Sequence, residues 1–172
     1  MAVWQFKFTL VPKVGILRVH GEVPAFLEEF MPMELPATVE EIEPLTPEEL
    51  EALSSREFTN YWEESGTSAI EEDVKLLLPF RTDWGVREYG EDAGNEVWVS
   101  SDFVECRLTL TQFDEGLARE FLRLANKYDC LIASDTGEVI PADWTPFVRR
   151  IRMSRAAKFV RDPIVFLTSL SD

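Results

Sequence analysis

Apolar and polar residues alternate from the first strand-length window. Trp4, Phe6, Phe8 and Leu10 are separated by Gln5, Lys7 and Thr9, which predicts a strand with one strongly apolar face. Pro12-Lys13 marks a break, and Gly15-Ile16-Leu17-Arg18-Val19 reads as a second strand forming a hairpin with the first. Pro24, Pro32, Pro36, Pro44 and Pro47 then punctuate the chain and oppose a long helix or a central strand. Within that region Thr46 is an N-cap candidate, with Pro47 at N1 and Glu49 at N3, for a helix ending near Leu53 or Phe58. A further helix is expected from Thr67 or Ser68 to about Leu78, before Pro79. Asp83-Trp84-Gly85 and Tyr89-Gly90 read as loops, and residues 91–95 as an exposed turn.

The second half is more regular. Val97 and Val99 alternate in a strand from Glu96 to Ser100, and Val104, Cys106, Leu108 and Leu110 in one from Phe103 to Thr111. Asp114 is placed to cap a helix from about Glu115 to Tyr128, with Leu117, Phe121 and Leu124 as its stripe. Short strands follow at Leu131 to Ala133 and Glu138 to Ile140. Asp143 stands before a helix starting at Trp144, Ser154 before one from Arg155 to Val160, and Pro163 before a last short helix with Ile164, Phe166, Leu167 and Leu170. This order predicts an α+β fold. It is a ferredoxin-like antiparallel sheet with an elaborated first crossover and C-terminal helices, in one domain over 1–172 with an acidic, Pro-punctuated insertion at about 22–73. An insertion that long is expected to contain packed structure.

Composition supports a core: 45% of the 172 residues are hydrophobic, among them five Trp and twelve Phe. No apolar run is long enough to span a membrane, and MAVWQFKFTL alternates where a secretory signal would not. Cys106 and Cys130, the two cysteines, are expected as buried free thiols in a reducing cytoplasm.

Charge changes the picture most. Glu22 to Asp73 holds sixteen of the 32 acidic residues and one of the 17 basic ones, Arg56, so this span carries a net charge equal to the whole chain's −15. Its densest part is VEEIEPLTPEELEAL, residues 39–53. At the other end Arg149, Arg150, Arg152, Arg155, Lys158 and Arg161 meet no acid until Asp162. Such lopsidedness bears on partners, not on the fold. The overall field disfavours nucleic acid and anionic membrane, and neither is expected as a partner. The two segments are expected to complement each other within one chain or between copies, as a homo-oligomer.

Candidate chemistry is sparse. His20, the single histidine, lies near Glu22, which suits a general base only if geometry joins them. Without clustered Cys and His no zinc site is expected. Glu71-Glu72-Asp73 reads as a solvated helix face. Asp83, Glu88, Glu91 and Asp92 surround glycines and aromatics and offer a carboxylate-based hydrolase site or a hard-cation site as the alternative reading. No catalytic residue, metal ligand or cofactor is assigned. Trp84 and Trp98 read as core, whereas Trp62, beside Glu63 and Glu64, reads as a partly exposed contact.

Several segments in the C-terminal half resemble small bacterial proteins associated with polymorphic-toxin immunity. They are Trp84-Gly85, Glu96-Val97-Trp98-Val99, Val104-Glu105-Cys106-Arg107-Leu108, Phe121-Leu122-Arg123-Leu124-Ala125, the Cys130 strand and Ser154-Arg155-Ala156-Ala157-Lys158-Phe159 before Asp162-Pro163. The resemblance implies an intracellular protein that neutralises a partner by binding. The expected function is therefore a non-enzymatic protein-binding module, with a basic protein such as a toxin as partner. Its contact residues would be Glu40, Glu41, Glu43, Glu48, Glu49, Glu63 and Glu64, with Phe58 or Trp62 as anchor. Besides the hydrolase, a structural self-associating protein is the remaining alternative.

Overall fold

The computed structural model describes residues 4–30, 59–83, 85–91 and 94–163. The N-terminal alternation forms strand β1 (Gln5–Pro12). The chain turns directly from Pro12 into helix α1 (Lys13–His20), passes a 3-10 turn at Glu28–Phe30, and resumes with helix α2 (Ser68–Leu77). A hairpin of β2 (Phe80–Asp83) and β3 (Arg87–Gly90) leads to β4 (Glu96–Val99) and β5 (Val104–Thr109). Helix α3 (Glu115–Lys127), strands β6 (Cys130–Ser134) and β7 (Val139–Ile140), and helices α4 (Trp144–Met153) and α5 (Arg155–Arg161) complete the described chain.

The strands make one seven-stranded sheet in the order β2-β3-β4-β5-β1-β6-β7, antiparallel at every join. Within it β1, α2, β4, β5, α3 and β6 form the ferredoxin-like unit. The hairpin β2–β3 widens one edge and β7 the other, so the first crossover is elaborated, as the pattern predicts.

Period-two alternation gives each strand two faces. Phe6, Phe8 and Leu10 on β1 stand opposite Leu108, Cys106 and Val104 on β5 and join Val97, Val99 and Ile132 in the main core. Phe121 of α3 and Phe147 of α4 press onto this face, with the Phe8 and Phe147 rings 5.0 Å apart and edge to face. On the opposite face Val11 and Ala133 gather with Ile16, Leu27 and Tyr61 in a second cluster beneath α1. The two faces therefore carry different helices: α3 and α4 on one, α1 on the other.

Local chemistry fixes the helix ends. Asp114 accepts a hydrogen bond from the Leu117 N–H at 2.9 Å, and Ser154 from that of Ala157 at 3.1 Å. Asp143 precedes α4 without a side-chain cap bond.

Three expectations are corrected. Gly15-Ile16-Leu17-Arg18-Val19 is part of α1, not a strand, and β1 pairs with β5 and β6 instead of with a following hairpin arm. The overlooked signal is Gly21, whose left-handed backbone (φ 77°) ends the helix and brings its N–H to the Leu17 carbonyl. Next, Tyr89-Gly90 is the end of β3, not a loop, whereas Asp83 closes β2 and Gly85 lies in the turn before β3, as expected of that loop. Gly90 sits in β3 because its φ of 110° and its approach to the Asn95 carbonyl exclude a side chain. Last, Trp62 is a core residue, 2% exposed, with its indole N–H donating to the Leu10 carbonyl at 3.1 Å. It is therefore not an exposed anchor. The expected helix at 46–58 and the helix after Pro163 lie outside the described residues.

Cys106 and Cys130 are free and buried. Burial pushes the Cys130 thiol up to about 12 and that of Cys106 well above the ordinary cysteine range. Neither thiol is expected to react with a thiol-specific chromogenic reagent in the folded protein at neutral pH, and both are expected to react promptly in denaturant.

Candidate functional site

Among the partner-contact candidates, Trp62, Glu63 and Glu64 fall within the described residues, and their surroundings are set by α1. Gly15 permits the approach: a Cβ there would lie 2.0 Å from the Tyr61 carbonyl oxygen. Arg18 then forms an ion pair with Glu63 and donates to the Asn60 carbonyl. His20 Nε2 lies 2.9 Å from the Tyr61 hydroxyl, which donates to Glu29. Burial first, then the hydrogen bond and the charge of Glu29, push the Tyr61 hydroxyl far above its usual range. It stays a neutral donor, and the His20-Tyr61-Glu29 chain ties three segments together. His20 thus meets Tyr61, the partner that proximity to Glu22 did not suggest.

This anchoring leaves one side of α1 outward. Val14 and Leu17 are 47% and 41% exposed, and Val23 just beyond the helix is 42% exposed. Positions i and i+3 share a helix face, so Val14 and Leu17 make a continuous aliphatic strip. Glu22, Glu28, Glu63 and Glu64 are also exposed. Glu40, Glu41, Glu43, Glu48, Glu49 and Phe58 lie outside the described residues.

The remaining carboxylates on the sheet are committed to internal pairs. On the face opposite the main core, Arg107 bridges Glu105 at 2.7 Å and Glu96 at 3.4 Å, and its guanidinium lies 3.6 Å over the Trp98 ring. Lys7 pairs with Glu105 at 2.7 Å and Arg81 with Glu88 at 3.3 Å. Asp83 accepts from the Gly85 N–H at the β2–β3 turn. Strand register places Asp83 opposite Arg87 and Glu88 opposite Thr82, so the two carboxylates project to opposite sides of the hairpin. Among the described residues no three His, Cys, Asp or Glu side chains gather as a cation site.

The acidic trio of α2 is not a uniformly solvated face. Glu71 is 7% exposed, accepts from the Tyr89 hydroxyl at 2.6 Å and pairs with Arg87. Asp73 accepts from Lys127 and Tyr128, and these bonds lower its pKa. Burial, followed by the Glu71 hydrogen bond, raises the Tyr89 hydroxyl from 10.0 to about 12. Because the folded protein holds this proton longer than the unfolded chain, its stabilising contribution is complete below pH 10 and is lost as pH rises toward 12. Tyr89→Phe is expected to remove that alkaline loss. At neutral pH it is expected to cost about 1–2 kcal/mol, since Glu71 loses a donor. Urea unfolding across the neutral and alkaline range checks both.

In the basic run, Arg150 is buried and pairs with Asp135 at 3.0 Å and Glu138 at 3.6 Å. That arginine is engaged by the β6–β7 turn, outside the acidic span. No helix among the described residues is long and apolar enough to cross a membrane.

Comparisons with protein-family models, curated proteins and solved structures each return no match. The functional reading therefore stands on the residues themselves.

Proposed function

We propose that this chain is a non-enzymatic protein-binding module whose acidic face receives a basic protein. The observation that carries the reading is the aliphatic strip of α1, Val14 and Leu17, left exposed on the helix whose Arg18 pairs with Glu63, in a chain whose Glu22, Glu28 and Glu64 are also exposed. Apolar groups supply contact area, and a concentrated negative field steers a cationic partner into place. The charge count agrees, because the span from Glu22 to Asp73 carries all of the chain's net charge. Taken with the resemblance to immunity proteins, the partner class is a basic toxin, and the module acts by occluding it in the cytoplasm.

The test is affinity capture from lysate of the source cell, followed by binding of the purified partner at two salt concentrations. A specific basic protein whose affinity falls as salt rises supports the reading. Capture of no specific protein, or of a neutral or acidic one, sinks it.

A further inference from the structure

Phe30 and Thr59 bound the densest part of the acidic span, residues 31–58, which hold eight acidic residues and one basic one, Arg56. The chain on either side of that part comes to the same place. On the upstream side Glu29 and Phe30 lie in the 3-10 turn, and the Phe30 ring stacks on that of Tyr61 with centroids 6.5 Å apart. On the downstream side the Asn60 carbonyl accepts from Arg18 at 2.5 Å, and Glu63 pairs with the same guanidinium. Tyr61 joins the two sides. Its hydroxyl donates to Glu29 and lies 2.9 Å from His20 Nε2. A phenol has one proton to give, so His20 Nε2–H donates to the Tyr61 oxygen. Tyr61 is 2% exposed, so water does not readily replace these bonds.

Keeping the two ends of a long segment together costs chain entropy, which contacts at its base must supply. Here the base is built from the second cluster, where Leu27 and Tyr61 pack with Ile16 of α1 and Phe30 leans on them. Phenylalanine at position 61 would keep that packing and the ring stack. It would lose both hydroxyl bonds. We infer that Tyr61 is a positioning residue: through Glu29 and His20 its hydroxyl pins the two ends of residues 31–58 side by side against α1, which leaves the acidic span less freedom to lose when it meets its partner. The pinning stands on the contacts alone. The effect on binding rests on the basic partner proposed above.

The experiment measures the separation of the two ends in the full chain. Nitroxide labels on Glu28→Cys and Glu64→Cys, both exposed positions, report it, while the buried Cys106 and Cys130 stay unlabelled. One narrow separation is expected in the otherwise wild-type chain and in Glu29→Gln, whose amide oxygen still accepts the Tyr61 proton. A broad distribution is expected in Tyr61→Phe and in Glu29→Ala. A Tyr61→Phe distribution as narrow as wild type, or a Glu29→Gln distribution as broad as that of Glu29→Ala, would overturn the pinning. The unlabelled variants are then titrated with the captured basic partner. Affinity is expected to fall about three- to tenfold in Tyr61→Phe and to stay within about twofold in Glu29→Gln. Equal affinity of Tyr61→Phe and wild type would overturn the positioning role. Capture of no partner would sink the proposed function and the positioning role with it, while the label separation still decides whether the ends are pinned.

Discussion

Gly15→Ala is expected to destabilise the protein by about 2–3 kcal/mol, the upper part of the range for forcing an extra methyl group into a packed site. Helix propensity alone argues the other way, since alanine in place of an interior helical glycine gains about 1 kcal/mol. The clash decides the sign. The new Cβ would sit 2.0 Å from the Tyr61 carbonyl oxygen, 2.8 Å from its carbonyl carbon and 2.9 Å from its Cα, all main-chain atoms with no flexible end to yield. Relief requires α1 to lift from the segment around Tyr61, weakening the Arg18 contacts with Glu63 and Asn60 and the His20 contact with Tyr61. Urea unfolding checks the stability. If the α1 face binds the partner, affinity should fall in the same variant while the main core remains folded.

Phe8→Ala is expected to cost more, about 3–5 kcal/mol, through lost transfer free energy and the cavity left behind. Phe8 is 1% exposed, and its ring meets Phe6, Phe121 and Phe147 at 5.7, 6.0 and 5.0 Å. It sits on the strand held between β5 and β6, so removing it loosens α3 and α4 together. Thermal unfolding should move to lower temperature by about 6–20 °C, given roughly 2–4 °C per kcal/mol for a domain of this size. A shift within a few degrees would mean that this aromatic cluster is not where the stability lies.

Much of the fold is legible where one physical signal dominates. The alternation on β1, β4 and β5 reports a sheet with one apolar face, and Asp114 and Ser154 announce the starts of α3 and α5. Elsewhere tertiary contact overrides local pattern. Gly15 to Val19 has strand-like composition, but Ile16 is held by the second cluster and Gly15 by Tyr61, so packing selects a short helix. Trp62 reads as exposed because two glutamates follow it in sequence, yet the chain turns there and sends the indole to Leu10 while Glu63 goes to Arg18. The polar positions of β4 and β5 have the right period but do not reveal that Arg107 joins Glu96 to Glu105. The site was least legible, since the α1 strip exists only if residues 13–20 are helical. The acidic span was visible as charge, which names the sign of a partner and not its contact surface.

The most direct test of the central claim is the association rate of the captured partner with wild type and with Glu22→Gln/Glu28→Gln/Glu64→Gln, followed by stopped flow across a salt series. The account predicts that the wild-type rate falls steeply with salt, and that neutralisation slows association about tenfold at low salt and flattens the dependence. Equal rates and equal salt dependence for the two proteins would contradict it.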